Sequence, residues 1–506
     1  MGTYLLGIDI GTSACKVAVF DQKGRLMASG TGDYRVYYPH PGWAEQDPQD
    51  WWNAVCRTLP GVLEKSHIHP RKIAGIGIAG QSWSAVALDH EGGVLCRTPI
   101  WMDTRASEIC REVNAKIGAD RIFDLCGNPL QPSYTTPKIL WYQKKTPELY
   151  GKIRWILQSN SYIAYRLTGH LSQDLSQGYG LHCFDMARGR WDGDMAGDMG
   201  ISTDIFPDIY PCHAIVGKVT AQAAKECGLC QGIPVVAGGL DAACGALGTG
   251  VLHPGQTQEQ GGQAGGMSIC MDQPRGDVRL ILGCHVVPDR WLLQGGTTGG
   301  GGVMRWLEKE FGAYERVLAE KQGRKSLDLL NEEADAVAAG SEGLIFLPYM
   351  AGERSPIWDP KAKGVFYGLD FSKTRGHLIR AAMEGVAFSL KHNLDVAESL
   401  GVKVDVLRAM GGSANSLLWT QIKSDVTGKP VDVPASDTAT TLGAVLLAGV
   451  GVGLYEDFDR AVDQTVEVRR RHLPDPDKRL VYEANYRNYR KLYDQLKDMM
   501  REGGDS

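Results

Sequence analysis

No apolar run in this chain of 506 residues is long enough to span a bilayer. The longest, residues 441–455 (TLGAVLLAGVGVGLY), falls short of the ~20 residues that a ~30 Å hydrocarbon layer demands and is broken by glycine, so it reads as a buried helix. Blocks of like charge are missing as well. Lys and Arg total 54 against 59 Asp and Glu, a net charge of −5 spread evenly, which excludes the basic footprint of a nucleic-acid or anionic-membrane binder. A hydrophobic content of 43% with 22% charged residues excludes disorder for most of the chain. The motifs G-x-x-x-x-G-K-[ST], G-x-S-x-G and H-E-x-x-H are absent, and with them goes the main support for P-loop, hydrolase-elbow and zinc-protease chemistry. The opening MGTYLLGIDIGTS carries no basic leader, apolar helical region or cleavage site, and the expected location is cytoplasmic. Twelve irregularly spaced cysteines point to reduced, mostly buried thiols rather than a disulfide framework. Cys227 and Cys230 match C-x-x-C, yet no second pair or nearby histidine completes four zinc ligands, and the pair reads as small side chains around a turn.

Glycine is in excess. The 63 glycines stand well above the usual ~7% and gather between apolar segments, where tight turns and backbone-lined ligand loops are expected. At ~150 residues per domain, the length predicts two or three domains. LLGIDIG, CKVAVF and RLMASG predict a three-stranded meander, and DPQDWWNAVCRTLPGVLEK predicts a helix with Asp47 as N-cap and Pro48 at its first position. IAGIGIAG and SAVALD read as strands, followed by a helical region that includes 101–116 and another from about 139 to 167. PVVAGGLDAACGALGTG reads as strand, glycine turn and helix, with the domain boundary just after it. The second half repeats the theme, with GMSICMD and LLQGG as strands, helices over 300–311, 377–401 and 413–427, and a charged helical tail over 480–501. The expectation is an α/β protein of two comparable domains, 1–250 and 251–506.

Gly75, Gly77 and Gly80 in GIGIAG satisfy the G-x-G-x-x-G of dinucleotide-binding folds. That fingerprint needs a helix directly after it to hold a pyrophosphate, and here the alternating strand QSWSAVALD follows, so the dinucleotide reading is rejected. Asp9 in GIDIGTSACK is a stronger signal, because a carboxylate inside an apolar strand is costly unless paired or bound to a cation. It stands beside a turn whose backbone N–H groups and Thr12 and Ser13 hydroxyls suit a phosphate with its magnesium ion. Lys16 either adds positive charge there or is an exposed strand lysine. Asp241 in GGLDAACGALG sits where a strand gives way to a helix, either as a mere cap or as a general base that takes an alcohol proton during phosphoryl transfer. One acid for a metal and one for a hydroxyl make kinase chemistry coherent.

These residues resemble the FGGY family of carbohydrate kinases, across nearly the whole chain and in order. GIDIGTSACKVAVFD is similar to the family's first phosphate loop, WAEQDPQDWW to its N-domain strand and helix, and TTPKILW to its first signature. GVFYGLDFSKTRGHLIRAAMEG is similar to its second signature, and MGGSANSLLWTQIKSDVTGKPV to its adenosine-binding loop and helix. The resemblance implies two actin-like, ribonuclease-H-like domains with the active site in the cleft between them, the sugar mostly on the first and ATP mostly on the second. It implies Asp9 as the magnesium ligand, Thr12 and Ser13 at the terminal phosphates and Asp241 as the catalytic base. Gly301, Gly412, Ser413 and Asn415 fall at the nucleotide, and Gln81 on the sugar side. Asp103 and Arg105 in WMDTRA fall near the sugar, where a structural ion pair is the other reading. Closure of the domains around substrate would exclude water. A homodimer is common in such kinases, and no nucleic-acid or membrane partner is expected.

Within the family, WAEQDP, GIAGQ, FLPYMAGERSP and GGLDAACGA are most similar to xylulokinases, which implies a ketopentose such as D-xylulose phosphorylated at its terminal hydroxyl. Three departures bear on this. Ser82 and Trp83 replace the Met-His that usually follows GIAGQ, and Ala242 replaces the Asn after the base; a hydroxyl-reading site that lacks its partner loses orders of magnitude. Trp83 either stacks on a sugar face or is a core residue. Gly262, Gln263, Ala264 and Gly265 replace a phosphate-cradling Gly-Thr-Ser-Gly, which deletes two hydroxyls and leaves the run 295–302 to share the phosphates. The alternatives are a kinase for ribulose, a tetrulose, a polyol or an aldonate, or a catalytically silent sugar-binding protein on the same fold.

Overall fold

The computed structural model describes residues 2–435 and 438–502. By backbone contacts the chain divides into two compact α/β units. The first comprises Met1–Leu252, Asp272–Leu292 and Thr438–Glu467; the second comprises His253–Met271, Leu293–Asp437 and Val468–Ser506. Two later segments thus pack with the first unit, which a single cut after residue 250 does not foresee.

In the first unit the strand Tyr4–Ile10 lies in the middle of a mixed sheet. It is antiparallel to Ala14–Asp21, which is antiparallel to Leu26–Asp33, and parallel to Ile73–Gly80. The predicted meander is therefore present. Pro234–Val236 and Gly239–Leu240 run parallel to Ile73–Gly80 on its other side. Side chains alternate across a strand, so Leu6 and Ile8 share one face and Leu5, Gly7 and Asp9 the other. The first face is covered by the helix Pro48–Ser66, whose Asp47 N-cap accepts from the Gln49 N–H and whose Trp51, Val55, Leu59 and Val62 join Leu6, Ile8 and Val17 in the core.

The second face is opened by glycines at Gly7, Gly75 and Gly77. A Cβ on Gly7 would stand 2.7 Å from the Thr441 carbonyl oxygen, and one on Gly77 only 1.8 Å from that of Ala444. The helix Ala439–Gly451 settles on this floor; it is the expected buried helix, and among the described residues no helix is long and apolar enough to cross a membrane. It meets the helix Asp241–Gly248 as closely, since a Cβ on Gly443 would be 1.8 Å from the Cys244 oxygen and one on Gly248 1.9 Å from that of Ala439. The pattern G-x-G-x-x-G is a packing device here: Gly75 and Gly77 receive this helix, and Gly80 faces Ser159 and Asn160.

Two helix expectations need correction. The helix begins at Ser107, and residues 101–106 form turns because Asp103 bonds the backbone N–H of Ala44 and of Arg105 instead of supporting a helix. The stretch 139–167 is interrupted by the strand Trp155–Leu157, paired with Val86–Leu88. Cys227 meets Cys56 (Sγ–Sγ 2.6 Å) across two helices rather than Cys230, and among the described residues no three His, Cys, Asp or Glu side chains cluster as a metal site.

In the second unit the hairpin Gln256–Gly261 and Gly265–Met271 is joined by Val406–Met410, parallel to Gln256–Gly261, then by Val431–Pro434 and, antiparallel, Val468–His472. The helix Arg375–Ser399 is buried along most of its length. The expected charged tail is the helix Arg479–Glu502, but Tyr482, Tyr486, Tyr489 and Tyr493, at three- and four-residue intervals, put one of its faces into the core beside Phe388.

Gly77→Ala should destabilise the protein by about 3 kcal/mol, because the clash is with backbone that cannot turn aside. Gly61→Ala, in a helix interior where a Cβ meets nothing within 4 Å, should instead stabilise it by about 0.5–1 kcal/mol. Urea unfolding of both variants checks the contrast.

Candidate active site

Strand register brings the two acids together. Asp9 is opposite Ala79 on one side and Gly239 is opposite Ala79 on the other, so Asp9 and Gly239 lie two strand spacings apart, ~10 Å. All three strands run in one direction and end together. Asp9, the segment Gln81, Ser82 and Trp83, and Asp241 therefore emerge at one carboxyl edge, where open α/β sheets bind ligands. Asp9 also shares its face with Gly7, the face that receives the helix Ala439–Gly451, against which the helix Asp241–Gly248 packs.

The Oδ1 atom of Asp9 is buried and has no hydrogen-bond partner. Burial, then the charge of Asp241, push the Asp9 carboxyl up to about 7, while Lys16, its cross-strand neighbour, acts in the opposite sense. Asp241 is the first residue of its helix, and its Oδ1 accepts the Ala242 N–H at 2.6 Å. Burial raises it to about 6 against that bond. That bond is to the adjacent residue and is no side-chain cap, the N-cap of this helix being Leu240, and the electrostatic coupling to Asp9 makes the pair one site. Lys16 is half-buried on the same sheet face as Asp9.

The turn after Asp9 is held by residues the sequence did not single out. Tyr34 donates to the Gly11 carbonyl at 2.6 Å, Gln46 Nε2 to the Thr12 carbonyl at 2.7 Å, and the Trp101 indole N–H to Thr12 Oγ1 at 3.0 Å. Ser13 is exposed. Gln81 is buried, donates to Gln46 Oε1 at 2.6 Å and keeps its own Oε1 without a partner. A relay of amides thus connects Gln81 to the Thr12 turn.

Trp83 is buried with φ +60°, a backbone state that bulky residues seldom adopt. Its ring stacks on Tyr134 at 4.0 Å between centroids and meets Tyr179 edge-on at 5.8 Å. The Trp83 indole N–H makes no hydrogen bond of good geometry, although the Tyr179 phenol lies alongside. Burial and then the charge of Asp241 raise the pKa of that phenol, so the aromatic cluster adjoins the acid. Ser82 and Ala242 are half-buried. Asp103 and Arg105 form a closed structure: Arg105 bonds both Asp103 oxygens at 2.7–2.9 Å and Glu45 at 2.8 Å, and its guanidinium lies 3.7 Å over the Trp43 ring. Their geometry is that of the structural ion pair.

The residues expected at a nucleotide gather on the second unit. The carbonyls of Gly262 and Gln263 accept the Gly301 and Gly302 N–H groups at 2.7 and 2.9 Å, so the first donors of the helix Gly301–Phe311 are spent on the hairpin turn. A Cβ on Gly261 would fall 1.5 Å from Ser413 Oγ, which ties the turn to the segment Gly412–Asn415. Ser413 Oγ accepts from Lys423 Nζ at 2.8 Å, and Lys423 pairs with buried Glu259 at 2.6 Å. Gly412 and Asn415 are exposed beside them.

The description "FGGY family of carbohydrate kinases, N-terminal domain" matches residues 4–248, and the corresponding C-terminal domain matches residues 278–452. The chain belongs to the FGGY family of carbohydrate kinases. This FGGY kinase is 31% identical over 500 residues to a xylulose kinase of Escherichia coli (strain K12), covering 98% of this chain and 99% of that one. It is 30% identical over 480 residues to a gluconokinase of Bacillus subtilis (strain 168), covering 94% and 93%. The crystal structure of xylulose kinase from Rhodospirillum rubrum matches it with a TM-score of 0.89 at 30% identity, over 98% of this chain and 100% of that one. The family and the two-domain fold follow directly; relatives of near-equal similarity carry the names of different sugars.

The raised carboxyl of Asp9 sets a sign for stability. Its folded pKa, about 7, lies above the ordinary 3.8, so the folded protein binds that proton more tightly than the unfolded chain. Stability is therefore lost as pH climbs from 3.8 to about 7 and is constant above it, with roughly 4 kcal/mol as the ceiling. Asp9→Asn in magnesium-free buffer should raise the melting temperature of this FGGY kinase at pH 8 and leave it unchanged at pH 4, as read by calorimetry.

Proposed function

We propose that this FGGY kinase uses ATP and magnesium to phosphorylate the terminal hydroxyl of a small ketose, D-xylulose foremost. The observation that carries the reading is the meeting of Asp9 and Asp241 at one strand edge, each with a carboxyl pushed upward by burial. The lone buried Oδ1 of Asp9 fits a divalent cation, so Asp9 is the residue to hold magnesium. That ion, when bound, neutralises charge on the phosphates. Asp241 takes the proton of the sugar hydroxyl as its oxygen gains the bond to phosphorus, and ADP departs with the electrons of the broken bridge. A carboxyl near 6 stays ionised at neutral pH while remaining basic enough for the task. Thr12, Ser13 and Lys16 are assigned to the terminal phosphates. The nucleotide is assigned to Gly262, Gln263, Gly301, Gly412, Ser413 and Asn415 in the second unit.

ADP release over a panel of D-xylulose, D-ribulose, a tetrulose, polyols and D-gluconate tests the substrate. Stimulation by D-gluconate alone would move the substrate to the aldonates, and tight sugar binding with no ADP release from any member would make the protein a silent binder. Asp241→Asn should lower kcat by ~10²–10⁴-fold with the sugar dissociation constant little changed, since the amide still hydrogen-bonds but takes no proton. Near-full turnover in that variant would refute the base. Trp83→Ala should change kcat/KM for the sugar far more than the KM for ATP, and equal effects on both would remove Trp83 from the sugar side.

A further inference from the structure

Lys138, inside TTPKILW, is completely buried on the helix Thr135–Lys145. An ammonium so placed is expected to have a carboxylate beside it. Its acceptors are neutral instead: the backbone carbonyls of Trp83 and Ser133, each at 2.7 Å. Burial pulls its pKa down to about 7, with the charge of Asp103 opposing and that of Arg105 assisting. A costly group held by two carbonyls is placed for what those carbonyls carry. One belongs to Trp83 itself, the residue at φ +60°, and the other immediately precedes Tyr134, the ring on which Trp83 stacks. A single ammonium therefore clamps both halves of the stack. The packing around the ring agrees, for a Cβ on Gly180 would stand 2.8 Å from Trp83 Cδ1 and crowd the indole. A hydroxyl brace runs parallel to the clamp, with Thr135 Oγ1 donating to the Ser84 carbonyl at 3.3 Å.

We propose that Lys138 is a positioning residue, which holds Trp83 in its left-handed conformation against Tyr134 and so sets the aromatic wall of the sugar site. Lys138 touches no substrate; it acts through Trp83. The inference rests on the assignment of the sugar to the Asp241 edge, which the Tyr179 ring joins to this stack. An aromatic face meets the C–H face of a sugar, so the wall reads ring shape and the orientation of hydroxyls at its border.

The test uses the full chain with Lys138→Met and Lys138→Arg, each compared with its own Trp83→Phe double variant. The near-ultraviolet circular dichroism difference between each parent and its Trp83→Phe partner isolates the stacked Trp83. That signature should vanish in Lys138→Met and return in Lys138→Arg, with thermal melts confirming folded protein. The KM for D-xylulose should rise at least tenfold in Lys138→Met while the KM for ATP stays within twofold. An intact signature in folded Lys138→Met overturns the proposal, as does a lost signature with equal changes in both Michaelis constants. If the unaltered protein neither binds nor phosphorylates D-xylulose or D-gluconate, the substrate reading fails separately. The signature and its rescue by arginine then decide the clamp.

Discussion

Backbone pressed directly on backbone governs the first unit. Ala444 approaches the strand floor at Gly77, Cys244 approaches Gly443, and Ala439 approaches Gly248, each so closely that one methyl group would collide with a carbonyl oxygen. Interiors packed at crystal-like density do not slide under such contacts. The helix Asp241–Gly248 is therefore fixed in height and rotation by the helix Ala439–Gly451, which is fixed in turn by the strands. The carboxyl at the head of the first helix arrives beside Asp9 by packing several residues away from either acid. A chemical group on a rigid element, located by its surroundings, holds the half-ångström tolerance that catalysis needs better than one on a free loop.

How much of this the sequence discloses depends on range. Asp9 is legible because its anomaly is local: an acid inside LLGIDIG has no other ready explanation. The meander and the Asp47 cap are legible for the same reason, since their signals sit within a few residues. The return of residues 438–467 to the first unit is not, because nothing in an apolar helix names the surface it covers. The same holds for GIGIAG, where glycine spacing for a phosphate and for a helix look alike until the helix is seen. Lys138 is hidden by composition: with lysines also at 144 and 145, it reads as one of several surface charges, and only burial sets it apart. The tyrosine face of Arg479–Glu502 was masked likewise by the charges between its rings. Asp103 and Arg105 were visible as a pair, but whether such a pair meets a sugar or closes on itself depends on Glu45 and Trp43, some sixty residues upstream.

The first unit concentrates unfavourable features in one place. An acid with an unsatisfied oxygen, a tryptophan in left-handed backbone and a buried lysine held by two carbonyls all border the same edge, while the surrounding sheet is apolar and closely packed. Strain and desolvation of this kind persist only where the rest of the structure over-determines them. The second unit has a smaller counterpart. Its hairpin turn lacks the hydroxyls of Gly-Thr-Ser-Gly, yet Ser413 and the Lys423–Glu259 pair lie beneath it and bind it to the 412–415 segment. On the proposed reading, these groups stiffen a phosphate loop whose own side chains contribute less.

The choice between a ketose and an aldonate turns on where positive charge is free. An aldonate brings a carboxylate, and a site built for it needs a cation whose donors are unspent. Arg105 is committed to Asp103 and Glu45, and Lys138 to two carbonyls whose release would let Trp83 relax. Lys16 stands across the strand from Asp9, on the side assigned to phosphate. On the proposed reading, a carboxylate placed beside Trp83 would compete with Asp103 and Glu45 for Arg105 or with two carbonyls for Lys138, and either exchange would loosen the proposed sugar wall. A neutral sugar would meet that proposed wall without the competition. Similarity to a gluconokinase of 30% identity leaves this difference undecided.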